Sequence, residues 1–354
     1  MAGLWLAGGI GGWAQVALSV VAGPFEVEGS VCALEVVDDS TVYYAGSKGN
    51  WGFTEDGGAS WRHDSVVVEG KRRAFRSLAV TSEALHLLSI ESPGLLLRSE
   101  DRGATWDVVM REDHPDAFFD AMVFWDDREG IAWGDPVPDG SGRRVMAVRV
   151  TRDGGRTWEV VPGEALPEVV PGEAAFAASN GNLAVRGDTV WGITGGVASR
   201  VFRSTDRGRT WRVFETPGIQ GGTMTGLFSI DMWNSREGGA MGGNWEEMGN
   251  NRGNKVFTED GGETWALRAE GEGPGYRSCV RAVPGSGGKR LWAVGPPGVS
   301  LSWDGGWSWE EVRWPEGMAQ GEWLTVRFTP DGRVAWLAGR GRVLAVEVPG
   351  PPSR

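Results

Sequence analysis

An eight-residue pattern, Ser/Thr-x-Asp-x-Gly-x-Ser/Thr-Trp, occurs six times along this chain and constrains its fold more than any other feature. Its aspartates are Asp56, Asp101, Asp153, Asp206, Asp260 and Asp304, and its closing tryptophans are Trp61, Trp106, Trp158, Trp211, Trp265 and Trp309. Successive aspartates stand 45, 52, 53, 54 and 44 residues apart, a period of about 50 residues that belongs to propeller-type repeats. The 354-residue chain therefore has room for about seven such units.

The pattern reads as a hairpin turn with a structural role. An Asp carboxylate accepts hydrogen bonds from the backbone that follows it, and Gly supplies the left-handed conformation that a side chain opposes. The Trp then starts the next strand and offers a large face to bury between neighbouring units. A calcium loop would need several oxygen ligands at alternating positions and a closing bidentate carboxylate. Each copy fixes one Asp only.

Between the copies, short alternating apolar runs predict four strands per unit. In the second unit these are Phe75 to Val80, Ala84 to Ile90, Leu95 to Arg98 and Thr105 to Met110; in the third, Phe118 to Phe124, Gly130 to Gly134, Val145 to Val150 and Thr157 to Val161. No segment sustains a capped helical period. The fold class expected is all-β: a seven-bladed β-propeller of four-stranded antiparallel blades, whose closure hides the strand edges. After the sixth copy the chain supplies three strands, Trp323 to Phe328, Arg333 to Ala338 and Arg342 to Val348, with no seventh copy. Trp13 to Val21 is then the expected donor of the missing strand. The domain would span 16–348, with a loose tail over 349–354.

Residues 1–15 read as a degenerate export signal. The stretch ahead of Glu26 is uncharged, but it lacks a basic start and carries five Gly between positions 3 and 12. An exported protein, periplasmic, lumenal or secreted, is the expectation, with a cytoplasmic one as the alternative. With 35 basic and 47 acidic residues the net charge is −12, which repels polyanions and sets nucleic acid aside as a partner. Cys32 and Cys279 cannot build a disulfide framework, and His63, His86 and His114 are too scattered for a metal cluster. No cofactor or metal is expected, and the two thiols read as buried fillers.

The repeated pattern is similar to the Asp-box, or bacterial neuraminidase repeat, of sialidases, xyloglucanases, sortilin-type receptors and photosystem II stability and assembly factors. From Val16 to Val348 the spacing most resembles the last group, in its bacterial branch. The stretches that carry the likeness are Phe118 to Trp125, Gly172 to Asn180, Val201 to Gly208 and Gly275 to Ser278. What the resemblance implies is a non-catalytic propeller that binds a protein partner, a membrane-complex subunit; separately, a monomer without a transmembrane segment is expected. Insertions at Asp135 to Arg144 and Gly242 to Gly253 are expected to lengthen loops on one face.

That face, opposite the Asp-Gly turns, is built by loops entering each innermost strand and by those joining second and third strands. The residues expected there are Arg76, Asp120, Asp135, Glu173, Asn180, Asn244, Glu246, Glu247, Tyr276 and Arg277, a convergent polar set suited to binding. The competing reading is a glycoside hydrolase using Asp120, Asp135 and Glu173 as its carboxyl groups. Its sialidase version fails because no Arg precedes Arg62. Gly285 to Arg290 lacks the first Gly and the final Ser/Thr of a phosphate loop and reads as a hairpin turn.

Overall fold

The computed structural model describes residues 16–315 and 321–351. Its regular structure is β-strand throughout, apart from two single-turn 3-10 segments, Ser47–Gly49 and Gly163–Ala165. In the second unit the strands are Phe75–Val80, Leu85–Ser89, Gly94–Ser99 and Asp107–Glu112, paired antiparallel in chain order. In the third, Gly130–Pro138 and Arg144–Thr151 run on through residues expected as an inserted loop. Asp135 therefore sits in a strand, and the turn is closed over 139–143 by Asp139 Oδ1, which accepts from the Ser141 and Arg143 amides.

Six hydrogen-bonded sheets of four or more strands are present rather than the seven expected, with a separate ribbon of Val67–Val68 and Lys71–Arg72. The difference lies at the chain ends. Val20–Val36 and Val334–Glu347 are long strands that each pair in two registers. Residues 20–30 pair with 340–346, whereas 31–36 pair with Val42–Gly46, and 335–339 pair with Trp323–Phe328. Continuous strands carry the pairing across the seam, so what would be two sheets is one of six strands. The donor from the N-terminal side is Val20 to Ser30, downstream of the expected Trp13 to Val21. Ahead of it, Ala17 makes a parallel bridge to Arg313. Residues 1–15, read as an export signal, lie outside the described residues, while Pro349 of the expected tail accepts a 2.8 Å bond from Arg290.

The innermost strands neighbour one another in turn, from Val20–Val36 through Phe75–Val80, Phe119–Phe124, Leu183–Arg186, Thr225–Met232 and Cys279–Ala282 to Trp323–Phe328 and back to the first. The largest buried aromatics between sheets are Trp133, Trp191, Trp292, Trp323 and Trp336. They come from first and second strands, not from the repeated turns. Of the turn tryptophans only Trp211 and Trp265 are buried; Trp61, Trp106, Trp158 and Trp309 keep part of their surface exposed. They act as outer wedges: Trp211 packs on Trp133 at 5.4 Å, Trp106 on Trp51 at 5.4 Å and Trp61 on Trp336 at 5.8 Å between ring centroids.

The six turns share one hydrogen-bond pattern. In every copy the Ser/Thr before the Trp donates its hydroxyl to the Asp at 2.6 Å. Its amide donates to the other carboxylate oxygen at 2.8–3.0 Å, and the opening Ser/Thr hydroxyl donates to that same oxygen. With its lone pairs used locally, the carboxylate is held in the charged form. The hydroxyl bond from Ser60 is the main reason that Asp56 falls to about 2, as that from Thr105 is for Asp101.

Candidate functional site

Five innermost strands carry the same irregularity at their entry. The register slips by one residue at Val31/Ala33, Phe75/Ser77, Phe119/Ala121, Leu227/Ser229 and Trp323/Thr325. A bulge adds an unpaired residue and re-aims its side chain. The extra residues here are Cys32, Arg76, Asp120, Phe228 and Leu324, which places them around the axis of the ring.

The axis is not open. The segment 175–182 crosses it and is bonded to most of the surrounding strands. Asn180 donates its amide to Cys32 O at 3.1 Å and its Nδ2 to Leu78 O at 3.0 Å, and its Oδ1 accepts from Ser77 Oγ at 2.6 Å. Its carbonyl accepts from Arg281 Nη2 at 3.2 Å and Arg327 Nη2 at 2.7 Å. Ser179 Oγ donates to Ser278 O, Ile230 N to Gly181 O, and Arg76 Nη1 to Ala177 O. Asn180 is thus a central strut rather than a surface contact residue.

The structure separates the other expected site residues. Asp120 and Asp135 come together with Arg76. Asp120 is fully buried and neither of its carboxylate oxygens has a hydrogen-bond partner. Burial first, and then the Asp135 charge, raise its pKa well above the usual carboxylate range, while Arg76 opposes them. Burial likewise pushes Asp135 up to about 6, against the 2.8 Å bond it accepts from Ala175 N. Arg76 also donates to the Cys32 thiol at 3.0 Å, so that thiol is a hydrogen-bond acceptor and not merely a filler.

Glu173 lines the same shallow cavity as Asp135 but is tied to other partners. It pairs with Arg200, accepts the Thr194 hydroxyl at 2.6 Å and the Val170 amide at 3.1 Å, and has no exposed side-chain surface. Arg277 is 2% exposed and donates to Ser300 Oγ and Glu311. Tyr276 is fully buried, and burial raises its phenol far above the usual range. It takes part in an aromatic run: Phe176 stacks on Phe228 at 4.2 Å, Phe228 meets Tyr276 edge-on at 4.8 Å, and Trp245 meets Tyr276 at 5.3 Å. Of the expected set only Glu246 and Glu247 are exposed, with Asn244 half-buried and capping the Glu246 amide at 2.9 Å. The set does not form the open charged plate that its composition suggests, because most of its members are bonded within the fold.

Two of the three carboxyl groups expected of a glycosidase are engaged or enclosed. Two reachable carboxyl groups must flank the bond, yet Asp120 has no exposed surface and Glu173 is neutralised by Arg200. What the same end does expose is apolar: Val170, Val197 and Trp245 are each more than a third exposed. A shallow cavity of about 800 Å³ lies beside Val170, lined by Phe118, Asp135, Pro136, Arg144 and Pro171 among others. Sequence reasoning passed over Val197, Trp245, Phe176, Glu35, Arg281 and Arg327. The available signal was placement at the strand entries and in the loops over them, since no residue type marked them out.

Lys255 is a further surprise, being 1% exposed with neutral partners only. It donates to Asn254 Oδ1 at 2.6 Å and to the carbonyls of Asn251 and Pro274, and burial lowers it to about 8. It fixes the loop after Asn244 against the loop before Tyr276. No group of three or more His, Cys, Asp or Glu among the described residues could hold a metal ion. No described helix is long and apolar enough to cross a membrane.

No protein-family model matches the chain. A curated relative, the photosystem II assembly lipoprotein Ycf48 of Synechococcus sp. (strain CC9902), is 24% identical over 283 residues, covering 73% of this chain and 79% of the relative. Among solved structures, YCF48 bound to D1 peptide superposes with a TM-score of 0.65 at 14% identity, over 95% of this chain and 98% of that one. YCF48 from Cyanidioschyzon merolae gives 0.62 at 15% identity, covering 94% and 98%. The Neurospora crassa Pan2 WD40 domain gives 0.60 at 13% identity, covering 96% and 97%. The structural matches establish the β-propeller fold, WD40 propellers included, and in sequence the chain is similar to a photosystem II assembly lipoprotein.

Proposed function

We propose that this chain is a non-catalytic binding propeller that holds a segment of a membrane-complex subunit during assembly, using the end at which the innermost strands begin. The observation that carries this reading is the way the polar centre is consumed. Asn180, Glu173 and Arg277 are spent on internal bonds and Asp120 is inaccessible, which leaves Val170, Val197 and Trp245 beside Glu246 and Glu247 as the free surface. An aromatic anchor with an apolar surround and a polar rim suits protein recognition. The sequence relative is a photosystem II assembly lipoprotein, and one structural match holds a D1 peptide. A peptide of a membrane subunit is the corresponding partner class here.

Two finer points belong to this reading. The terminal six-stranded sheet counts as two wedges, giving seven blades with six Asp-boxes; the seven neighbouring innermost strands support that count. The protein is exported and works on a membrane surface, in keeping with a relative that is a lipoprotein, and it acts as a monomer. Cys32 cannot carry a lipid, because it lies buried in the innermost strand.

The test is capture of partners from a native membrane extract by the wild-type chain, Trp245→Ala/Val197→Asp and Glu246→Gln/Glu247→Gln. Loss of a specific membrane subunit with the first variant supports the surface. Equal recovery of every partner by all three would remove it. Turnover in a glycan-release screen would replace the binding reading with an enzymatic one.

A further inference from the structure

The far end of the axis, beyond the crossing segment, holds an arrangement that the binding reading does not use. Turns of the Asp-Gly type stand beside the turns joining first and second strands, as the bonds Gly57 N to Ser40 O, Gly154 N to Arg128 O and Gly261 N to Arg236 O record. At that end a cavity of about 170 Å³ is lined by Glu35, Asn180, Arg186, Asp231, Arg281 and Arg327, with apolar walls from the first strands.

Arg281 and Arg327 come from neighbouring innermost strands, and both donate Nη2 to the single carbonyl of Asn180. Arg281 Nη1 also donates to Ser229 Oγ and to the carbonyls of Ile230 and Val280, and Arg327 Nη1 to Val326 O and the Cys279 sulfur, whose pKa, although burial raises it, the two arginine charges lower. Every ion pair within 4 Å among the described residues involves other arginines or lysines. Two guanidinium groups thus share one oxygen with no carboxylate within 4 Å, although the Glu35 charge reaches both. Burial and then the Arg281 charge lower the Arg327 pKa, the direction expected of a desolvated cation beside another.

The remaining charged groups facing the cavity compensate only in part. Glu35 accepts from Asn180 Nδ2 at 3.3 Å, and burial raises its pKa against the pull of Arg327 and Arg281. Asp231 accepts the Ala282 amide at 2.8 Å and stands 3.9 Å from Arg186, which it serves first. The cavity that both arginines line has room for a further anionic group beside Glu35 and Asp231.

We infer that the Arg281–Arg327 pair forms a second binding site, at the opposite end of the axis from the partner surface, for a small oxyanion such as phosphate or a carboxylate. Planar guanidinium groups match both chemistries. Glu35 occupies the same space with the wrong charge and acts as an internal competitor that weakens the site.

The probes are inorganic phosphate and acetate, titrated into the full chain by calorimetry and by the shift of thermal midpoint, at constant ionic strength with chloride as the control. Saturable binding is expected, lost by at least tenfold in Arg327→Met and strengthened severalfold in Glu35→Gln. If Arg327→Met does not fold, Arg281→Met and the Glu35→Gln gain carry the test. Phosphate preferred over acetate identifies a phosphate-type site and the reverse a carboxylate-type site; both support the inference. Absence of saturable binding, or binding equal in wild type, Arg327→Met and Glu35→Gln, overturns it.

Discussion

The rim and the axis of this propeller are built by opposite strategies. At the rim, six Asp-Gly turns repeat one set of bonds, down to a hydroxyl-to-carboxylate distance of 2.6 Å in all six. Every ligand of each Asp lies within four residues of it, so each turn is satisfied whatever its neighbours do. At the axis nothing repeats. The bulge residues are Cys32, Arg76, Asp120, Phe228 and Leu324, and Asn180 bonds with groups up to 147 residues away in sequence. Local satisfaction allows copying, whereas long-range satisfaction ties each residue to a single place. The axis is therefore where one member of such a fold can differ from another.

The contrast predicts that single changes at the axis cost more than those at the rim. Arg200→Ala leaves Glu173 buried and unpaired, and we expect a loss of about 3–5 kcal/mol in urea unfolding. Arg200→Met/Glu173→Leu should recover much of that loss; no recovery would mean that the pair supplies more than charge balance.

Gly103→Ala is the strongest expected exception at the rim. Gly103 has φ +85°, and a Cβ there would lie 2.0 Å from the Trp51 ring. The expected cost is about 2–4 kcal/mol. A mild effect in urea melts would show that the turns yield more readily than their uniformity suggests.

The two regions should also differ in the sign of their pH dependence. Asp135 has its folded pKa raised to about 6, and Asp120 is raised too, so the folded state binds more protons than the unfolded state between about pH 4 and 6. Stability should therefore fall as pH rises through that window, by up to about 3 kcal/mol, and Asp135→Asn should flatten the slope. The turn aspartates run the other way. Although burial opposes it, the Thr264 and Thr258 bonds hold Asp260 down to about 2, so its stabilisation is present above about pH 4 and is lost as pH falls towards 2. Asp260→Asn should cost about 1 kcal/mol at neutral pH and reduce the acid limb. Denaturant melts from pH 2 to 8 read both effects.

The smallest stability change is expected at Trp245, which is 38% exposed. Trp245→Ala should cost about 1 kcal/mol or less, while removing partner capture. A large stability loss with capture intact would reassign it to the Tyr276 packing.

Much of the rim was legible in the sequence, because an Asp-Gly turn is fixed by residues four or five positions apart. The same locality made Phe75–Val80 and Trp323–Phe328 readable to the residue. The sheet count was not, because fusion of the terminal sheets depends on how far Val20–Val36 and Val334–Glu347 continue without breaking, and no turn residue marks the seam. At the axis, Asp120, Asp135 and Arg76 were read only as members of one face, and the structure brings these three together. Glu173, Tyr276 and Arg277 were not surface groups as expected, since residue type does not reveal which groups are bonded within the fold.

The sequence by itself determined a repeating all-β architecture, its turns and its period, because these rest on hydrogen bonds that close within a few residues. Only the tertiary structure decided which polar groups remain free. That outcome depends on the path of residues 175–182 across the axis, where Asn180 brings its bonding partners together from strands more than a hundred residues apart. Burial at such a crossing is a property of the assembled ring, and on its far side it brings Arg281 and Arg327 onto one carbonyl.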